Sequence, residues 1–202
     1  MAFVAFLDAC VLYPPTIRDL LLTVAEAGIC QIRWSPDVLD EMERNVAARS
    51  KVDSKTTAVE GAKYLRRTME DAFPDAMVER AAYENLIQPM TNDPKDRHVL
   101  AAAISGRANV LVTWNGKHFP QTAGAPYGID GQDPDAYLLF QFELAPDSFL
   151  ESLKFLSKQR HAPMDSVVGI LTILTKTVPR FARAAKIAWQ NRQSGPPPAT
   201  AR

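Results

Sequence analysis

Cysteine and histidine are scarce in this sequence. Its 202 residues include two cysteines and three histidines. Cys10 and Cys30 lie in apolar segments, and their spacing does not match the ligand pattern of a zinc site. A chain of this length can bury a core without disulfide bonds. We therefore interpret both cysteines as small buried residues, which excludes a disulfide scaffold and favours a reducing cytoplasm.

Net charge and long hydrophobic runs are also absent. The 23 basic residues balance 23 acidic ones, but residues 1–146 hold 14 basic against 20 acidic residues and residues 147–202 hold nine against three. No apolar run approaches the length of a membrane span, and the N-terminal residues carry no basic signal-peptide segment. We expect a cytoplasmic protein with no membrane partner.

Short apolar runs alternate with helical patterns over the first 146 residues. The run over residues 2–7 is typical of a strand buried on both faces, and residues 30–34 and 109–113 fit two further strands. A further strand fits around Leu86 and Ile87. The helical patterns cover residues 16–27, 35 onward, 54–82 (two helices or a hairpin) and 92–105. This alternation predicts an α/β fold, a three-layer sandwich with a mainly parallel central sheet.

The residue pattern of the last quarter of the chain predicts helices. We divide the sequence into an α/β domain over residues 1–146, a basic helical C-terminal extension over 147–192 and a flexible tail over 193–202. The apolar helix near Ser166 to Leu174 suits a homodimer contact. The basic side chains of the extension form either a solvated face or a ledge for RNA or an acidic partner; they are Lys176, Arg180, Arg183, Lys186 and Arg192.

Several carboxylates are predicted to meet at one edge of the sheet. Asp8 follows the first strand, Asn115 follows the run NVLVT, and Asp93 and Asp96 begin the helix before that run. The carboxyl ends of parallel strands are where open α/β sheets bind ligands. Acids gathered there repel one another unless a hard divalent cation neutralises them, which favours Mg²⁺ or Mn²⁺ and metal-assisted phosphodiester hydrolysis.

The sequence resembles the PIN-domain family, whose bacterial members include the VapC ribonuclease toxins, in four ordered segments. These segments are FLDACVLYP, WSPDVLDEMERN, NDPKDRHVLAAAI and LVTWNGKHFP. The resemblance covers roughly Ala2 to Leu144. It implies a PIN-like sandwich and a Mg²⁺- or Mn²⁺-dependent ribonuclease, the toxin of a type II toxin-antitoxin pair with RNA as substrate and an antitoxin as partner.

The same resemblance implies roles for individual residues. Asp8 matches the first acid of the family, Glu41 the second and Asp96 the third, with Asp8 and Asp96 as metal ligands. Asn115 stands at the fourth position, where many members carry Asp, and Thr113 helps to hold the acidic cluster. Since an amide brings no negative charge, we expect one well-held ion and a second only with substrate phosphate present.

Two of these assignments have alternatives. Asp93 before Pro94 fits a helix N-cap, which places Asp96 at the third helical position, and it also fits a supporting role in the site. For the second acid, the helical wheel places Glu43 nearer the buried stripe of its helix, whereas the family offset from Ser35 favours Glu41.

The basic residues and histidines near the motifs are candidates for RNA contacts. Lys95, Arg97 and Lys117 flank the predicted site and are candidates for the RNA backbone. His98 and His118 have no spacing partner for a zinc site, and we place them on a helix surface and in a turn.

Two other functions compete with a nuclease. The first is a nucleic-acid or protein binding module that has the same fold but no catalytic activity. Asn115, in place of an acid, would then indicate a weakened metal site. The other is a haloacid-type phosphatase with Asp8 as nucleophile. That class needs a second Asp two residues further on, and Ala9-Cys10 supplies none.

Overall fold

The central sheet has four short parallel strands in the order β2-β1-β3-β4 in the computed structural model, which describes residues 3–52 and 54–194. The strands are β1 (Val4–Leu7), β2 (Gln31–Arg33), β3 (Val110–Val112) and β4 (Asp130–Gln132). β1 is central, and its Phe6 pairs with Arg33 on one side and Leu111 on the other. Because every pair is parallel, the carboxyl ends of all these strands share one edge.

Helices flank this sheet, and the predicted α/β sandwich with a parallel sheet is confirmed. The helices up to β4 are α1 (Ala9–Leu12), α2 (Pro15–Glu26), α3 (Pro36–Arg49), α4 (Lys55–Ala72), α5 (Glu84–Ile87), α6 (Arg97–Ser105) and α7 (Gln121–Gly124). α3 begins as the sequence predicts, because Ser35 Oγ accepts a hydrogen bond from Val38 N at 3.4 Å and Pro36 occupies the first helical position.

One predicted strand is wrong and one observed strand was not predicted. Leu86 and Ile87 lie in the helical turn α5, because two apolar residues among polar neighbours are too few to fill a buried strand. The strand that completes the sheet is β4, with the sequence DGQ and mostly exposed side chains. An edge strand without apolar residues leaves no hydrophobic pattern in the sequence.

Residues 54–82, for which two helices or a hairpin were predicted, form one α-helix, α4, followed by short 3₁₀ turns. Ser54 caps α4 by accepting from Thr57 N at 3.4 Å, and the helix ends at Phe73-Pro74. Two short 3₁₀ turns follow, at Pro74–Ala76 and Arg80–Ala82. α4 packs on α3.

The described chain divides into two compact units. The first contains residues 3–18 and 30–134, and the second contains residues 19–29 and 135–194. The division predicted from the sequence at residue 146 stays a prediction. Gln193 and Ser194, the first residues of the predicted tail, belong to the last helix, and residues 195–202 lie outside the described part.

Helices build the second unit. They include α8 (Pro134–Leu144), α9 (Pro146–Lys158), α10 (Val167–Leu174) and α11 (Pro179–Ser194). Phe142, Phe149 and Phe181 form an aromatic cluster whose ring centroids lie 5.2–6.0 Å apart. The buried Asp135 caps α11, since its carboxylate accepts from Phe181 N at 2.8 Å and from Arg180 N at 3.1 Å.

Two of the five basic side chains noted in the extension are ion-paired within this unit. Arg180 Nε lies 3.0 Å from Asp135 Oδ2, and Arg192 Nη2 lies 3.0 Å from Glu151 Oε1. In α10 most of the apolar side chains are buried, which leaves Val168 at 41% exposure. Within the described residues, no helix is both long and apolar enough to span a membrane. The homodimer contact expected at the apolar helix near Ser166 to Leu174 stays a prediction.

Candidate active site

Asp8 lies at the shared carboxyl edge of the sheet, between the end of β1 and the start of α1. Its backbone N–H donates to Val112 O at 3.2 Å, which extends the β1–β3 pairing by one residue. Thr113 follows β3 directly, so the parallel register places Asp8 and Thr113 side by side. The predicted meeting of the first and last motifs at this edge follows from that register.

The Asp8 carboxylate is almost completely buried and is held by two side chains. Its exposed fraction is 4%. Thr113 Oγ1 donates to Asp8 Oδ2 at 2.6 Å, and Cys10 Sγ donates to the same oxygen at 3.1 Å. Burial raises the pKa of Asp8; the two hydrogen bonds lower it, and the negative charge of Asp96 raises it further. The net pKa of Asp8 is raised, and this carboxylate forms no ion pair with a described residue.

Cys10 has a role that the sequence did not reveal. It is a buried free thiol, as predicted, but Trp114 N donates to its sulfur at 3.2 Å while the thiol donates to Asp8. Burial raises the pKa of Cys10 to about 12, and the charge of Asp8 contributes to the same shift. The thiol therefore keeps its proton near neutral pH and acts as a fixed donor. The sequence feature that could have indicated this role is the position of Cys10 two residues after Asp8.

Asp96 and Asp93 lie before α6 rather than inside it. α6 begins at Arg97 with Asp96 at the N-cap position, so the predicted helix start at Asp93 and the placement of Asp96 at the third helical position are wrong. Asp93 Oδ1 accepts from Lys95 N at 3.0 Å, which makes a local turn before the helix. The Asp96 side chain makes no capping hydrogen bond and is directed elsewhere.

His118 contacts Asp96. Its Nδ1 lies 2.6 Å from Asp96 Oδ2, and its backbone carbonyl accepts from Asp93 N at 3.2 Å. One potential ligand atom from each of Asp93, Asp96 and His118 lies within 4.8 Å of the others. Sequence spacing could not reveal this contact, because His118 comes from a 3₁₀ turn 22 residues further along the chain.

The structure brings Glu41, and not Glu43, together with the other acids. Burial raises the pKa of the half-buried Glu41, and the charges of Asp8 and Asp96 raise it further. Glu43 Oε2 instead lies 3.5 Å from Arg66 Nη1 on α4. α3 therefore presents one glutamate to the acidic edge and the other to its helical neighbour.

The remaining predicted residues occupy different surroundings. Asn115 is exposed, and its backbone N–H donates to Thr113 Oγ1 at 2.9 Å. Lys95 and Lys117 are exposed. Arg97 is half-buried, with its Nη1 3.5 Å from Gln88 O, so it is directed towards α5.

The charge of Asp96 raises the pKa of Asp8, the charges of both raise the pKa of Glu41, and we call these three residues the acidic centre. Thr113 and Cys10 orient the first acid, and His118 orients the third. All the potential ligand atoms of these three acids are carboxylate oxygens, which suit hard divalent cations. Mutual repulsion among the acids adds to the attraction for such a cation, so the residues present fit a hard divalent cation.

Comparison with known proteins gives one family and one relative. The family model described as PIN domain matches residues 4–117. A protein of Mycobacterium tuberculosis named "Putative ribonuclease VapC50" is 40% identical over 104 residues, which are 52% of this chain and 62% of the relative. No solved structure matches this chain. The family match spans more than half of the sequence and includes the acidic centre, and the chain belongs to the PIN domain family.

Proposed function

We propose that this protein is a metal-dependent endoribonuclease that hydrolyses RNA phosphodiester bonds. The observation that carries the proposal is the buried Asp8 carboxylate, which Thr113 holds at the carboxyl edge of the sheet within the field of Asp96 and Glu41. The PIN domain and the relative named as a ribonuclease support the same activity.

Mg²⁺ or Mn²⁺ is the proposed cofactor. Asp8 and Asp96 would hold the ion, with Glu41 as a third acid and Asn115 as a neutral oxygen ligand. Carboxylates that repel one another in a buried position gain most from a divalent partner. Such an ion, when bound, polarises a phosphoryl oxygen and lowers the pKa of a coordinated water.

The protein side chains orient the acids and move the proton. Thr113 and Cys10 donate to Asp8 Oδ2 and thereby favour its charged form. His118 fixes Asp96 through its Nδ1. The Glu41 carboxylate, whose pKa is raised, is suited to accept the proton of the attacking water. Glu43 has no part in this step, because it pairs with Arg66.

RNA contacts are assigned to residues around the acidic centre. Lys95 and Lys117 are exposed and would neutralise the RNA backbone. Asp93 supports the site by shaping the turn before α6. Arg97 is the weakest of the RNA candidates, because its guanidinium is directed towards Gln88 O.

A cleavage assay tests the nuclease proposal. The purified full chain is incubated with bulk RNA and Mn²⁺, with EDTA in place of Mn²⁺, and as the Asp8→Asn variant with Mn²⁺. We expect cleavage in the first case only, with a loss of at least about a hundredfold in the variant. Tyr64→Ala serves as the matched control, because Tyr64 is an exposed side chain on α4.

The same assay tests the alternative of a catalytically weak binding module. Asn115 in place of an acid favours this alternative, since an amide contributes no charge to a metal site. RNA that survives with Mn²⁺ while binding to the folded protein would support the module and overturn the nuclease.

We further propose that the protein is the toxin of a toxin-antitoxin pair. The relative with a VapC name supports this role. Expression of the wild-type chain in a bacterial host should arrest growth, whereas Asp8→Asn should not, and co-expression of the product of the adjacent gene should restore growth. Unchanged growth with active soluble wild-type protein would contradict the toxin role.

A further inference from the structure

We propose that a cleft at the carboxyl ends of β3 and β4 binds an unpaired base of the RNA, stacked on the indole of Trp114. This inference rests on the ribonuclease function proposed above and names the form of RNA that the site takes. It also makes Trp114 a residue that determines substrate specificity.

The cleft has the dimensions of a small-ligand site. Its volume is about 530 Å³, and residues 113–118 and 131–133 line it. Pockets for small ligands commonly enclose roughly 300–1,000 Å³. The lining comes from the two segments that follow β3 and end β4, so the sheet itself fixes its walls.

The cleft shares two residues with the contacts that hold the acidic centre. Thr113 lines the cleft and donates to Asp8 Oδ2 at 2.6 Å. His118 lines it as well and contacts Asp96 Oδ2 at 2.6 Å. A group bound in the cleft therefore lies beside the two proposed metal ligands, where a nucleotide next to the cleaved phosphate must lie.

Trp114 presents an aromatic surface in this cleft. Its side chain is 36% exposed, whereas Trp34 is fully buried. The Trp114 backbone is anchored by its N–H bond to Cys10 Sγ at 3.2 Å. An exposed tryptophan on an anchored backbone is a typical platform for a base of a single strand, because every base offers an aromatic face.

The titratable residues that line the cleft are Lys117, His118 and Asp133. Asp133 is acidic, and His118 is already engaged by Asp96. Gln132 Nε2 donates to Asp130 Oδ2 at 3.0 Å. Lys117 is exposed and forms no ion pair with a described residue, so it is suited to the phosphate of the same nucleotide.

A binding experiment tests the cleft without requiring cleavage. The full chain carrying Asp8→Asn is titrated in EDTA with a short single-stranded RNA and with the same RNA annealed to its complement. We expect Trp114→Ala to weaken single-strand binding about tenfold and to leave duplex binding unchanged. Trp114→Phe should retain most of the affinity, which separates stacking from misfolding. Tyr64→Ala, which removes an aromatic side chain that is 72% exposed, should change neither.

Tryptophan fluorescence gives a second readout. The chain has three tryptophans, and stacking of a base on Trp114 should quench the emission of that residue alone. The quenching should disappear in Trp114→Phe and persist in Trp189→Phe. Quenching that persists in Trp114→Phe, or equal losses of single-strand and duplex binding in Trp114→Ala, would overturn the proposal.

Failure of the cleft and failure of the nuclease give different results. A chain that cleaves RNA but binds single strands independently of Trp114 overturns the cleft and leaves the nuclease. A chain that cleaves no RNA but shows quenching dependent on Trp114 overturns the nuclease and supports the cleft.

Discussion

Asp8 and Asp135 are both buried aspartates, with exposed fractions of 4% and 6%, but their surroundings differ in charge. Asp135 receives two backbone N–H groups at the start of α11 and the Arg180 guanidinium. Asp8 receives a hydroxyl and a thiol, which are neutral, and the negative charge of Asp96 raises its pKa.

The difference between them lies in how the charge of each carboxylate is compensated. A buried carboxylate is stable when a helix N-terminus and a cation compensate its charge. Asp135 has both and holds helices together. Asp8 lies at the N-cap position of the four-residue helix α1, where the Ala9 N–H lowers its pKa, but it forms no ion pair with a described residue. Four experiments test this comparison.

Removing the compensated carboxylate should have the largest effect on folding. Asp135→Ala leaves two N–H groups of α11, one of them buried, without their acceptor, so we expect a loss of about 2 kcal/mol in the free energy of unfolding. Chemical denaturation measures the loss, and Asp135→Asn, which keeps one acceptor, should lose less. Equal stability of Asp135→Ala and wild type would show that the cap contributes nothing.

Neutralising the Asp8 carboxylate should raise the stability of the fold, which is the opposite of the effect expected at Asp135. Asp8→Asn removes a buried charge, so we expect a thermal midpoint roughly 2–4 °C above that of wild type in EDTA. Mn²⁺ should raise the midpoint of the wild type and leave that of the variant nearly unchanged. A variant that melts below wild type in EDTA would contradict the comparison.

The advantage of Asp8→Asn should depend on pH in a defined direction. The native pKa of Asp8 is raised above 3.8, so its stabilising protonated form is complete below 3.8 and is lost as the pH rises through the native pKa. The difference in midpoint between variant and wild type in EDTA should therefore grow from acid to neutral pH. Melting curves at a series of pH values measure this difference. A difference that shrinks from acid to neutral pH would contradict the prediction.

Removing one neutral donor should have the smallest effect. Cys10→Ala deletes a hydrogen bond that lowers the pKa of Asp8, so cleavage should fall about fivefold and the acid limb of its pH profile should move upward. Cys10→Ser keeps a donor and should remain closer to wild type. An unshifted profile in Cys10→Ala would mean that the thiol only fills space.

The elements that could be predicted from the sequence are those in which one residue pattern corresponds to one structure. β1 and β3 are continuous apolar runs, and their buried positions follow from that composition. The meeting of Asp8 and Thr113 also follows, because parallel strands end at a common edge.

Contacts made by turns could not be predicted from the sequence. His118 reaches Asp96 through a 3₁₀ turn whose course no periodicity indicates. The distinction between Glu41 and Glu43 required the position of Arg66 on a neighbouring helix. β4 has no apolar residue, so the strand that forms one wall of the cleft left no signal.

The loop after β3 is anchored by the same side chains that orient the first acid. Cys10 receives the Trp114 N–H and Thr113 receives the Asn115 N–H, while both donate to Asp8. The backbone of this loop is thus tied to the acidic centre, whereas the side chains of Trp114 and Lys117 are exposed. Under the proposed function, exchanging those two side chains would change which RNA is bound without removing a group that orients Asp8.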